Sequence, residues 1–294
     1  MRQHRLALCS EHFLAWVPQQ VQRAIERYHM FTPDERVLVA VSGGKDTLSL
    51  WDILLRLGYQ VEGIYINLGI PDSGYSDISQ QKVEQFAAQR NAPFRVVNVK
   101  AEYGESIPEV ARRKRGRNVC GTCGLVKRHI MNQAACEGDF AALATGHNLD
   151  DEVAVLFQNA LHWATGYLGR QAPVLPASHP KLARKVKPLI RLYEREMAAY
   201  ALVRGIDYIY EECPYSRGAT TLFYKQLFDQ LEQASPGAKQ QFYLSFLQAR
   251  TEGRLLLPEA DTVKLGECKR CGQPTTAPEL CVFCRLWDAE DITE

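Results

Sequence analysis

The sequence predicts an α/β fold on a doubly wound parallel sheet, with a cysteine-rich module at its C-terminal end. Three observations carry that reading. "RVLVAV", residues 36–41, is a short run that is apolar on both faces, as in a strand buried between two layers of helices. Similar runs alternate with stretches of helical period, so the repeating unit is strand–helix–strand. The tail "CKRCGQPTTAPELCVFC" spaces four cysteines as C-x2-C-x9-C-x2-C.

The elements follow in order. A helix runs from Trp16 to about residue 30, with Val21, Ile25 and Tyr28 on one face, and "FTPDE" is a turn. After the first strand, "SGGKD" leads into the helix "TLSLWDILLRLG", closed by Gly58. "VEGIYIN", "FRVVNV", "FAALATG" and "RKVKPLI" read as strands. Between and after them, "SDISQQKVEQFAAQR", "GLVKRHIMNQAAC", "DDEVAVLFQNALHW" and "EREMAAYALVRG" read as helices. "ATTLFYKQLFDQLEQ" and "AKQQFYLSFLQAR" are two further helices joined by "ASPG". The divisions expected are an N-terminal segment (1–30), a sheet domain (31–215), a helical extension (216–260) and a cysteine module (261–294).

Thirty-five Lys and Arg against 34 Asp and Glu leave a net charge of +1, which excludes a uniformly basic nucleic-acid coat but not a local basic face such as "RRKRGR" (112–117). No stretch approaches the roughly 18 apolar residues of a membrane span and no signal peptide is evident, so a soluble, cytoplasmic chain without a membrane partner is expected. In a reducing compartment nine cysteines serve better as metal ligands than as disulfides. Cys268, Cys271, Cys281 and Cys284 form two thiolate pairs that can close a tetrahedral structural Zn²⁺ site. Cys9 and His12 are spaced as half of a second zinc site. The preceding residues hold His4 and no cysteine, which leaves a decayed or truncated finger, or no metal, the preferred reading.

"VAVSGGKDT" is a strand, a glycine turn and a helix start, the arrangement in which backbone N–H groups and the helix dipole bind phosphate. It is neither a Walker A loop nor a G-x-G-x-x-G turn. "ATGHNLDDE" ends a later strand where open α/β sheets bind ligands. Its acids Asp150, Asp151 and Glu152 open a helix, where N-terminal capping and dipole complementation are one reading, Asp150 included, but with His147 and Asn148 they make a polar cluster larger than capping needs. Cys120 and Cys123 at C-x-x-C spacing leave a redox pair open. With Cys213 they could equally hold a [4Fe–4S] cluster with one iron open, while Cys136 is expected in the core.

"SGGKDT" resembles the pyrophosphatase loop, SGGxDS, of the N-type ATP pyrophosphatases, adenine-nucleotide α-hydrolase folds, with Thr47 keeping the final hydroxyl. "LCSEHF", "RVLVAVSGGKDTLSLWD", "CGTCGLVKRHI", "ATGHNLDDE", "EECPYS" and the four-cysteine tail occur together and in order, and the whole chain resembles the TtuA-type tRNA 2-sulfurtransferases. That resemblance implies a PP-loop domain flanked by zinc fingers. It implies ATP held with Mg²⁺ by Ser42, Gly43, Gly44, Lys45, Asp46 and Thr47, with Gly146 and His147. It implies a [4Fe–4S] cluster on Cys120, Cys123 and Cys213, and catalytic roles for Lys127 and Asp151. The reaction implied is adenylation of a uridine O2 and its replacement by sulfur carried on the open iron. The sulfur comes from a small thiocarboxylated carrier protein. The tRNA would lie against "RRKRGR", and a homodimer is expected.

Position 54 of the T-loop is the favoured target. Glutamine-rich stretches ("PQQVQ", "SQQKVEQ"), unusual in heat-adapted chains, keep the anticodon uridine at position 34 open. A cluster-free ATP pyrophosphatase acting on another tRNA base, and a zinc-ribbon binding module with a vestigial loop, are the remaining readings.

Overall fold

A computed structural model describes residues 1–114, 118–216, 218, 220–257 and 265–288. The central sheet has the order β3-β2-β1-β4-β6-β5, with β1 at Arg36–Val41, β2 at Gln60–Asn67, β3 at Phe94–Asn98, β4 at Ala142–Ala144, β5 at Val174–Leu175 and β6 at Lys185–Val186. Strands β1 to β4 and β6 run parallel. The edge strand β5, which the sequence reading did not include, runs antiparallel to β6.

β1 shows why its run is apolar on both sides. Val37, Val39 and Val41 face one core and Leu38 faces the other. The first core packs α1 (Ser10–Arg27), α2 (Lys45–Arg56), α3 (Tyr75–Arg90) and α9 (Glu194–Val203) on one face of the sheet. The second packs α4 (Val99–Tyr103), α5 (Ile107–Arg113), α6 (Val119–Glu137) and the cysteine module on the other. A third cluster joins α7 (Leu149–Leu161) and α8 (Thr165–Arg170) to the paired helices α10 (Thr220–Ala234) and α11 (Ala238–Thr251). Asp52 on α2 ties three helices of the first layer together. Burial alone would raise its carboxyl, but Arg204 Nε at 3.0 Å and Arg90 Nε at 2.8 Å hold it below the usual range.

Some boundaries differ from the sequence reading for local reasons. α1 begins at Ser10 rather than Trp16, with Cys9 as its N-cap. "RKVKPLI" forms only the two-residue strand β6, because the chain bends after Lys187, where the Ile190 N–H returns to the Lys187 carbonyl at 3.4 Å. α6 begins before the C-x-x-C, not after it. The Asn118 side chain accepts from the Gly121 N–H, so Cys120 and Cys123 lie within the helix's first turns.

The chain leaves β3, crosses through α4 to α6 and returns on the far side of β1 as β4, so the sheet reverses direction between β1 and β4. Open α/β sheets bind ligands in the crevice at such a reversal. The residues directly after these two strands are Ser42 and Thr145. Among the described residues no helix is long and apolar enough to cross a membrane.

Candidate active site

A cavity of about 360 Å³ opens at the reversal point. Ser42, Gly44, Asp46 and Thr47 form one wall, Thr145, Gly146 and His147 the floor, and Cys123, Lys127 and Cys213 the far side. Apolar side chains from β2 and the loop after it, among them Ile64, Ile66 and Ile70, complete it. Three stretches far apart in sequence therefore meet in one space.

The glycine loop is fixed by its own hydroxyls. Thr47 Oγ1 donates to the Gly44 carbonyl at 3.1 Å and accepts from the Ser42 N–H at 3.1 Å, and the two hydroxyls lie 3.2 Å apart. Gly43 has φ +78°, in the left-handed region, and a Cβ there would stand 2.6 Å from the Ser79 carbonyl. Gly146 packs so closely on this turn that a Cβ would meet the Thr47 N and Cα at 3.1 Å. The two ligand-facing segments are thus in backbone contact. Gly43→Ala is expected to distort the turn, costing about 1–3 kcal/mol of stability and at least roughly tenfold in nucleotide affinity. A nucleotide titration on the purified variant, with its melting curve, checks both.

The acids divide differently from the sequence reading. Asn148 and Asp151 form the capping box of α7. Asp151 Oδ2 accepts from the Asn148 N–H at 3.0 Å, and the Asp151 N–H donates back to Asn148 Oδ1 at 3.2 Å. Asp150, expected to cap, is instead buried, pairing with the Lys239 ammonium and accepting from the Glu194 N–H at 2.8 Å. Asp46 accepts from Asn148 Nδ2 at 3.2 Å. Burial, reinforced by the Asp151 and Glu194 charges and opposed by Lys45, pushes the Asp46 carboxyl up to about 6. His147 keeps solvent contact, with Nδ1 2.8 Å from Thr145 Oγ1, yet the protein crowded around it holds its ring below the usual range. At neutral pH it is an uncharged wall of the cavity.

The first turns of α6 supply the thiols. Cys120 and Cys123 stand three residues apart, with Lys127 one turn further on. The Cys120 thiol donates to the Tyr215 carbonyl at 3.0 Å, which brings the Pro214–Ser216 turn and the adjacent Cys213 against α6. Burial raises the Cys123 thiol, the Lys127 ammonium opposes that, and the Cys213 and Cys120 sulfurs raise it further. A soft cation among the three would relieve both the burial and the repulsion, so this donor set fits a cluster.

The tail cysteines fit a single ion. Among the described residues, Cys268, Cys271, Cys281 and Cys284 are the one group of three or more His, Cys, Asp or Glu ligand atoms all within 4.8 Å of one another. Cys271 Sγ and Cys281 Sγ are 3.7 Å apart, and a tetrahedron of metal–sulfur bonds of about 2.3 Å has an edge of about 3.8 Å. The cavity cysteines are spread more widely, as suits ligands bound to different irons. At the N-terminus Cys9 Sγ lies 3.0 Å from His12 Nδ1, while His4 is turned to Glu196 Oε1 at 2.8 Å. Within "RRKRGR", Arg113 donates to the Leu286 carbonyl at 2.7 Å and Lys114 to the Asp288 carbonyl at 3.3 Å, both beside the cysteine module. Arg115 to Arg117 lie outside the described residues.

A PP-loop domain model matches residues 17–218. The tRNA-5-methyluridine(54) 2-sulfurtransferase of Thermus thermophilus is 50% identical over 98% of this chain and 88% of its own length. That of Pyrococcus horikoshii is 45% identical over 96% and 88%. The chain belongs to the tRNA-5-methyluridine(54) 2-sulfurtransferase family. Among solved structures, the family member resembles the U34-tRNA thiolase NcsA of Methanococcus maripaludis, solved with its [4Fe–4S] cluster. The TM-score is 0.79 at 25% identity, over 97% of this chain and 90% of that one.

Two charged residues of this sulfurtransferase-family site were not foreseen. Lys225 Nζ lies 2.6 Å from Asp151 Oδ1 and 2.9 Å from Glu194 Oε2, and Lys45 Nζ lies 2.8 Å from Glu194 Oε1. Against the push of burial, the Lys225 and Lys45 charges hold the Glu194 carboxyl down to about 2. Glu194 was legible as a residue of the first helical turn, but no local pattern points to Lys225.

Proposed function

We propose that this chain is an ATP-dependent sulfurtransferase that converts the C2 carbonyl of uridine 54 in the tRNA T-loop to a thiocarbonyl. The observation that carries the reading is the single cavity shared by the glycine loop, Lys127 and the cysteines Cys123 and Cys213. Position 54 is supported by the names of relatives up to 50% identical, whereas the thiolase named for position 34 is 25% identical.

In this reading the amides after Gly43 and the hydroxyls of Ser42 and Thr47 hold the ATP phosphates, with Lys45 beside them. Asp46 and Asp151 hold Mg²⁺. Lys127, exposed at the cavity side, faces the α-phosphate and stabilises the charge that builds on it as the uridine O2 attacks. Gly146 leaves room beside Thr47, and neutral His147 lines the base's approach without adding charge. Cys120, Cys123 and Cys213 hold a [4Fe–4S] cluster, which supplies a thiophilic position for the sulfur that replaces the adenylated oxygen. The apolar wall from Ile64 to Ile70 keeps water from the activated carbon. The target base leaves its stack to enter. Cys268, Cys271, Cys281 and Cys284 hold structural Zn²⁺. A small carrier protein ending in a thiocarboxylate delivers the sulfur, and the enzyme works in the cytoplasm as a homodimer.

The test is anaerobic incubation of the cluster-loaded protein with ATP, Mg²⁺, sulfide and tRNA that carries 5-methyluridine but no sulfur at position 54. We expect tRNA-dependent pyrophosphate release and a mass gain of one sulfur-for-oxygen exchange at nucleotide 54. Thiolation at another nucleotide, or pyrophosphate release without thiolation, would overturn the assignment.

A further inference from the structure

Five charged side chains form one chain beside the cavity. Asp46 Oδ2 lies 3.3 Å from Lys45 Nζ, which reaches Glu194 Oε1 at 2.8 Å. Glu194 Oε2 lies 2.9 Å from Lys225 Nζ, which reaches Asp151 Oδ1 at 2.6 Å. Three carboxylates alternate with two ammoniums, so the chain is short of one positive charge. Glu194 sits between both ammoniums and is fully compensated, whereas the terminal carboxylates, Asp46 and Asp151, have one ammonium each. These two termini interact through space with the same sign of charge.

Lys225 comes from an unexpected source. It sits on α10, beyond residue 218, where the match to the PP-loop domain ends. α10 is held on α7 by Tyr224 and Phe228, each edge-on to Phe157 at ring-centroid distances of 5.4 and 5.3 Å. A second cation from the neighbouring helix α11, Lys239, is committed to Asp150 and Asp229 and leaves Asp151 to Lys225. The extension thus directs one ammonium at a carboxylate oxygen that the α7 capping box does not use, since the cap occupies Oδ2 and Lys225 occupies Oδ1.

We infer that Lys225 is a positioning residue for the thiolation site, the resident counter-ion of Asp151, holding its Oδ1 in place until a divalent cation brought with ATP takes that oxygen over. The inference rests on the reading above in which Asp46 and Asp151 bind Mg²⁺. An ammonium and a divalent cation competing for one oxygen have opposite effects on affinity and on alignment. Removing the ammonium makes the site more negative by one charge and removes a competitor, so the metal binds more tightly. It also frees the carboxylate to rotate, so the metal is held less well aligned for turnover.

The test compares Lys225→Met, Lys225→Arg and Asp46→Asn in the full chain. Mg²⁺ is titrated calorimetrically with a non-hydrolysable ATP analogue present, alongside thiolation kinetics and melting curves. Lys225→Met is expected to bind Mg²⁺ about three- to tenfold more tightly while kcat falls at least about tenfold. Lys225→Arg is expected to restore both values most of the way. A purely structural lysine would give weaker or unchanged Mg²⁺ binding in the methionine variant, and that result overturns the inference. Asp46→Asn reports on the underlying reading: unchanged Mg²⁺ binding there would sink the metal assignment itself. A weakened Asp46→Asn beside an unchanged Lys225→Met would sink only the role of Lys225.

Discussion

Cys213→Ala is expected to abolish thiolation and the visible absorption of the cluster while leaving nucleotide binding and zinc content unchanged. The separation follows from how Cys213 is held. The Ile209 N–H donates to the Gly43 carbonyl at 2.9 Å, and the Ser216 N–H and hydroxyl return to the Cys213 carbonyl at 2.9 and 2.7 Å. All these bonds use backbone or serine atoms, so the alanine variant keeps its loop. Under the proposed cluster assignment it loses one of three thiolates in a site that would already leave one iron without a protein ligand, and two thiolates would not retain such a cluster. The hydroxyl pair at Ser42 and Thr47 has no contact with the lost sulfur among its hydrogen bonds, so ATP affinity should hold. Absorption spectra, metal analysis and a nucleotide titration on one anaerobic preparation test this. An active variant would remove Cys213 from the cluster.

Cys281→Ser, or stripping the tail metal with a chelator, is expected to do more damage, costing both the module's fold and the cluster. Structural zinc contributes on the order of 10 kcal/mol to the folding of small modules. Here the module is also part of the second core. Cys268, Cys281 and Cys284 belong to the same apolar cluster as Val126, Ile130 and Ala134 of α6. Phe283 lies flat on His129, with ring centroids 3.8 Å apart and planes 8° apart. Burial drops the His129 ring to about 4, so it stays neutral there. Asn132 of the same helix donates to Gln273 Oε1 at 2.5 Å and to the Lys181 carbonyl at 2.8 Å. α6 bears Cys120, Cys123 and Lys127 on its first turns, so loosening its module face loosens the site. The expected signature is one-way: metal loss from the tail lowers the melting temperature and sheds the cluster, while cluster loss leaves the tail metal in place. A metal-stripped protein with unchanged melting and intact cluster absorption would refute the coupling.

The sheet and the glycine turn were legible because both are written locally. β1 is apolar at every position from Val37 to Val41, and the turn follows it at once. The tail was legible for the same reason, since its spacing alone fits the 3.7 Å sulfur approach. The start of α6 was within reach, because Asn118 is a good N-cap three residues before a glycine N–H. The C-x-x-C itself carries no apolar helical period, so the period starts only after it. β5 was not recoverable, as two residues carry no period, and β6 was read only as part of the longer "RKVKPLI". The charge chain was equally hidden. Asp151 and Lys225 are joined only by folding, and neither stands in a pattern that names the other. The misassigned cap shows the limit within a motif: three consecutive acids look alike in sequence, and only the burial of Asp150 against Lys239 tells them apart.

The contact between Cys120 and Tyr215 spans 95 residues of chain, and it bears on how the protein is made. A growing polypeptide that has released the glycine loop, the C-x-x-C and four strands of the sheet still lacks its third thiolate. If the three cysteines hold a cluster as proposed, the receptor stays unfinished until the residues beyond α9 have been synthesised and have folded back on α6. Loading would thereby be deferred until after all six strands of the sheet, the last of which ends at Val186, have been made. Under the proposed cluster assignment, a loaded molecule would already have folded the turn at Pro214–Ser216 back on α6.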